Sequence, residues 1–144
     1  MKHIIKNICT AIIISTFFIY LQSSLTSTYI SNFLKSNLIT IIISLLAINI
    51  ATTGIVLGKM KDIVDNTKNK TLFVKSKKEM QISIIEQVVL IVLAFMVLTF
   101  SDSPFIQNMQ ILRNILDICC LAIFVYDTII LYDSSKSIFI ILSF

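Results

Sequence analysis

Four uninterrupted apolar stretches, each about as long as a bilayer core is thick, run through the 144-residue sequence. They cover approximately residues 8–25, 38–58, 82–100 and 111–131. A helix of about 20 apolar residues crosses the hydrocarbon core, and in lipid it satisfies all of its own backbone hydrogen bonds. Apolar residues make up 56 % of the chain and charged residues only 14 %, with a mean hydropathy of +0.92. So small a chain cannot hide that much apolar surface from water. This excludes a soluble enzyme domain, a disordered tail and a disulfide-stapled secreted scaffold. The expectation is an all-α membrane protein, one four-helix transmembrane domain over residues 1–144, with the lipid bilayer as its first partner.

Punctuation between the stretches supports the division. Ser76 followed by Glu79 has the spacing of a capping box, which would start the third helix just before its apolar run. Asp102, Ser103 and Pro104 end that helix, and Ser103 with Pro104 suits the cap and first turn of the next. The third and fourth helices therefore read as a tight hairpin. Residues 22–36 read as a looser connection, and residues 59–81 as a polar loop with seven lysines and three acids.

Basic residues set the orientation, since they remain on the cytoplasmic side. With the N-terminus inside, ten lysines (2, 6, 59, 61, 68, 70, 75, 77, 78 and 136) fall on inner segments. Only Lys35 and Arg113 fall outside. Both termini and the 59–81 loop are thus expected in the cytoplasm. A cleaved signal peptide is a rival reading of the first stretch, but no small-x-small alanine site follows it. The charges flank apolar segments and form no basic face with interleaved aromatics, so no nucleic-acid partner is expected.

Polarity inside the stretches points to where function would reside. In the second, Ala47, Ala51, Gly54 and Gly58 form one narrow stripe of small residues, a seam for a second copy of the chain or for another helix of the bundle. Asn49, Thr52 and Thr53 lie largely on the opposite side, which suggests a central helix touching protein all round. In the fourth, Arg113, Asp117, Cys120, Phe124 and Asp127 share a stripe, with Arg113 and Asp117 spaced for an ion pair. Glu86 in the third helix is expected at the depth of Asp127, with Ser83 and Gln87 adding polarity nearby.

Ionisable groups inside a membrane cost about 2.5–3.5 kcal/mol each on insertion scales, so they usually face the bundle interior. Two readings follow. One is a polar pathway, with Glu86 and Asp127 below, Asn49 and Thr53 midway, and Arg113 and Asp117 above. The other is hydrogen-bonding glue between helices, with Glu86 and Asp127 reaching toward the interface or toward Lys59 or Lys77.

Chemistry of other kinds has no visible basis. His3 stands alone near the N-terminus, and Cys9, Cys119 and Cys120 lie in apolar runs where cysteine serves as a small filler. No phosphate-cradling loop, zinc-protease helix or Cys-x-x-Cys pair occurs, so neither an enzyme, a metal nor a cofactor is expected. Small multidrug exporters also use four short helices, but they depend on a glutamate in the first, and no charge lies here between Asn7 and Lys35. Within the lysine-rich loop, Leu72, Phe73 and Val74 form an apolar triplet that could dock a cytoplasmic protein.

The arrangement resembles small four-helix inner-membrane proteins of bacterial phage defence. Examples are the RexB membrane component of phage exclusion and the KwaA component of the Kiwa system. The resembling parts are the overall length, the second span with Asn49, Ala51, Thr52, Thr53 and Gly54, the lysine-rich inner loop and the closely following hairpin. The resemblance implies a homo-oligomeric inner-membrane sensor or ion-conducting effector in antiphage defence. A non-conducting anchor that recruits a partner through the 59–81 loop, and a bacteriocin immunity protein, are the alternatives that the residues leave open.

Overall fold

The structure is a computed structural model that describes residues 2–67 and 73–142. They form helices α1 (Lys2–Ser24), α2 (Tyr29–Thr67), α3 (Val74–Ser101), α4 (Pro104–Gln107) and α5 (Gln110–Leu142), with no strand among the described residues. Of these, α1, α2, α3 and α5 are each long and apolar enough to cross a membrane. The helices outrun the apolar stretches. The 39 residues of α2 reach about 58 Å at 1.5 Å per residue, nearly twice a bilayer core.

Burial is inverted relative to a water-soluble bundle. Large apolar side chains cover the outside, with Ile13 69 %, Phe17 58 %, Ile85 62 % and Ile111 75 % exposed. Asn49, Gln87 and Asp127 are fully buried. In water this would expose apolar surface on every side, whereas in lipid it is the arrangement that leaves polar groups partnered and apolar ones solvated. The chain is a multi-pass membrane protein.

One helix organises the bundle. α5 packs against α1, α2 and α3, and α2 also packs against α3. In α5, 39 % of the apolar window is buried, against 11 % in α1. The main core runs from Ala11 through Leu34, Leu38 and Ile42 to Leu90, Ala94, Cys120, Leu121 and Ile130. The central position expected for the second helix therefore belongs to α5, the fourth of the membrane-spanning helices. α2 buries its polar face, while its small-residue stripe looks outward.

Three local expectations are also revised. α3 starts at Val74 with Phe73 as its N-cap, so Ser76 lies within the first turn and caps nothing. The reason is at the lysine-rich end, where Val56, Met60 and Met80 form a second small core with Leu57 and Phe73 against it. That packing carries helix on both sides past the apolar runs, so much of the expected 59–81 loop is helical. Ser103 and Pro104 do start a helix, but it is the single turn α4, and α5 begins afresh at Gln110.

The looser connection expected at 22–36 is a tight turn. Ser27 N donates to Gln22 O at 3.0 Å and Thr26 N to Ser23 O at 3.1 Å, the two bonds of a Schellman ending. Gln22 pins the start of α2 as well, donating from Nε2 to Ser31 Oγ at 2.8 Å and accepting from Ser31 N at 3.2 Å. The ending requires a left-handed residue, and here Thr26 supplies it at φ 50°. A β-branched residue is strained there by about 1–2 kcal/mol. Thr26→Gly should relieve that strain and raise the thermal unfolding midpoint in detergent by a few degrees.

Candidate functional site

Three helices bring their polar side chains to one point inside the bundle. From α3, Gln87 stands between α2 and α5. Its Oε1 accepts from Asn49 Nδ2 at 2.7 Å, and its Nε2 donates to Asp127 Oδ1 at 2.8 Å. Ser83, one turn earlier on α3, donates to Met80 O at 2.9 Å. It accepts from Asn49 Nδ2 and from Ser134 Oγ, both at 3.3 Å. The result is a connected chain of hydrogen bonds that branches at Asn49, whose amide donates to Ser83 on one side and to Gln87, and so toward Asp127, on the other.

The chain leaves two oxygens over. Asn49 Oδ1 and Asp127 Oδ2 are buried and have no hydrogen-bond partner. Asn49 Oδ1 can only accept, and Asp127 Oδ2 accepts while the carboxylate is ionised, so together they suit a positively charged or hydrogen-donating guest. The amides of Asn49 and Gln87 are poor relays for a proton, because passing one would require the amide to change tautomer. They act as a frame that holds the two oxygens in place.

Beside this frame lies a cavity of about 500 Å³ between α1, α3 and α5, lined by Asn7, Glu79, Ser83, Glu86, Tyr126 and Asp133 among others. Ser83 belongs to both the cavity and the chain. Within the cavity Tyr126 Oη donates to Glu86 Oε2 at 3.2 Å, and Asn7 Nδ2 donates to Asp133 Oδ2 at 3.0 Å.

These contacts redraw the expected pathway. Glu86 and Asp127 were expected to meet at one depth, yet Glu86 takes Tyr126 while Asp127 takes Gln87, and neither is ion-paired to Lys59 or Lys77. Asn49, expected at mid-depth above Asp127, lies level with it, since both bond Gln87. Depth counted from the end of each apolar stretch assumes that the stretches are flush, and packing sets them in a different stagger. Thr53 is buried on the inner face of α2. Half-buried Thr52 turns its hydroxyl back onto Ile48 O and Asn49 O.

Arg113 and Asp117 do not pair. Asp117 faces inward, and Lys35 reaches it from α2 at 2.7 Å between Nζ and Oδ1, an approach poorly directed for a hydrogen bond but close enough for an ion pair. Arg113 is exposed. An i, i+4 pair contributes only about 0.2–0.5 kcal/mol, too little to compete with neutralising a nearly buried carboxylate.

Ala47, Ala51, Gly54 and Gly58 are all exposed, and nothing lies within 4 Å of where a Cβ would stand on either glycine. Of the docking triplet, Phe73 packs on the second core, Val74 is exposed, and Leu72 lies outside the described residues. The described cysteines are free thiols, and no group of three or more metal-ligating residues assembles among the described residues.

Sequence reasoning undervalued Gln87 and missed Tyr126 and Ser134. The available signal was that Ser83, Glu86 and Gln87 share one side of α3 while Tyr126, Asp127 and Ser134 share one side of α5. Comparison with protein families, with curated proteins and with solved structures returns no match for this chain.

Gln87→Leu should orphan Asp127 Oδ1, at about 1–3 kcal/mol, and leave Asn49 Nδ2 with only its longer bond to Ser83. Thermal unfolding in detergent should fall well below that of Ser83→Ala, which removes only the weaker edge of the network.

Proposed function

We propose that this chain is an oligomeric bacterial inner-membrane protein that acts as a membrane sensor or ion-conducting effector in antiphage defence. Its N- and C-termini would face the cytoplasm, on the side where ten of its twelve basic residues collect. The observation that carries this reading is the pair of partnerless acceptor oxygens, Asn49 Oδ1 and Asp127 Oδ2, held by Gln87 inside the apolar bundle. Polar groups in such a place usually mark an ion or substrate route. Serine or threonine glue would join the helices without burying a carboxylate. The defence role rests on the resemblance in arrangement to RexB-like and KwaA-like proteins.

Flux through purified protein in liposomes tests the reading. The double substitution Glu86→Gln with Asp127→Asn keeps the shapes and removes both carboxylates, and it should lower proton or potassium flux and cell toxicity about tenfold or more. Flux and toxicity at the unsubstituted level would end the conducting reading.

Assembly has its own test. Both glycines have open space around them, so Gly54→Leu with Gly58→Leu leaves the fold of one chain undisturbed. If the exposed stripe is the seam between copies, the pair should shift the protein in detergent from oligomer to monomer, read by light scattering, with helix content unchanged.

A further inference from the structure

The end of the bundle opposite the lysine-rich segment holds a second cavity, of about 530 Å³, within the roughly 300–1,000 Å³ of small-molecule sites. It is lined by Lys35 of α2, Leu98 and Ser101 of α3, Arg113 of α5, and Asp102 and Asn108 in the connections on either side of α4. Lys35 is committed to Asp117. That leaves one free cation and one free anion, because neither the Arg113 guanidinium nor the Asp102 carboxylate has a side-chain partner among the described residues. The two charges share the cavity without pairing with each other.

The position of the cavity narrows its ligand. α3 ends at Ser101 and α5 starts at Gln110, so the cavity sits where the apolar helices leave the hydrocarbon. Lipid headgroups occupy that level. Arg113 offers a planar fork suited to a phosphate, the Asn108 amide and the Ser101 hydroxyl can add hydrogen bonds, and Asp102 suits a primary ammonium. The geometry points to a site for a phosphodiester carrying a primary ammonium on a short arm, the chemistry of an ethanolamine phospholipid headgroup. The site is independent of any ion route, since it lies at the other end of the molecule from the cavity beside Ser83 and shares no residue with it.

The chemistry separates this ligand from its neighbours. A phosphatidylglycerol headgroup has the phosphate without the ammonium, so it meets Asp102 as a like charge. Phosphatidylcholine has the positive charge but no N–H to donate.

The full-length protein in detergent should be mixed with dioleoyl phosphatidylethanolamine, phosphatidylglycerol or phosphatidylcholine at equal mole fraction, washed, and its retained lipid counted by native mass spectrometry. The ethanolamine lipid should be retained about tenfold over the other two, the discrimination expected of one charge-assisted hydrogen-bonded pair. Arg113→Gln should abolish retention of all three. Asp102→Asn should invert the preference toward phosphatidylglycerol, a change that a merely structural role would not produce. Both residues are exposed, so neither substitution threatens folding. Retention that ignores both substitutions, or a preference for phosphatidylglycerol in the unsubstituted protein, would overturn the assignment. So would stabilisation by millimolar glycerophosphoethanolamine with no retention of the lipid, since the ligand would then be a soluble one.

Discussion

The structure depends on polar groups finding one another where no water can reach them. Asn49, Gln87 and Asp127 come from three different helices, and each is fully buried. A lipid-facing position for any of them would leave a strong hydrogen-bonding group in hydrocarbon, at several kcal/mol. Joining them fixes the rotation of α2, α3 and α5 about their axes, because only one face of each helix carries the matching group. Apolar packing alone would not do so, since isoleucine and leucine pack almost equally well against a neighbour or against a lipid tail.

This explains how the ends of the molecule differ. Near the lysine-rich end, the Asp127 carboxyl is met by the Gln87 amide and, through it, by the neutral Asn49–Ser83–Ser134 contacts, with the acids Glu86 and Asp133 lining the cavity beside them. Toward the other end, Asp117 is met by a full charge from Lys35. Both carboxyls lie on α5, 10 positions apart. One is held by amide chemistry, the other by an ion pair, and the surrounding hydroxyls and amides decide which can stay open to a guest. Asp127 retains an oxygen without a partner in a rigid setting, which makes it the better place to look for chemistry.

Much of the architecture was legible in the residues and some was not, for reasons that differ. Spanning helices follow from summing side-chain hydropathy over a window, so all four stretches stood out before any contact was known. Inward-facing polarity was legible for Asn49, Thr53 and Asp127, because lipid forbids the alternative. The hub was not legible, since nothing in a single helix states how many neighbours it will have, and the two-faced pattern of α2 suggested the wrong centre. Lys35 and Asp117 are far apart in the chain, so local spacing offered Arg113 instead. The turn at Thr26 was hidden because threonine stands where glycine is the usual sign, and the start of α3 because Phe73 is held by packing and not by a cap.

The unequal burial of α5 and α1 has a consequence for how this protein can change over time. Residues on α5 answer to three neighbours at once, so a substitution tolerated at one contact will usually offend another. On α1 most positions meet only acyl chains, which accept any apolar shape. Among descendants of one ancestral gene, divergence should therefore collect on the first helix and its outward faces, while the fifth drifts slowly. Kinship within this lineage is best sought from the α5 segment, with the peripheral segments set aside.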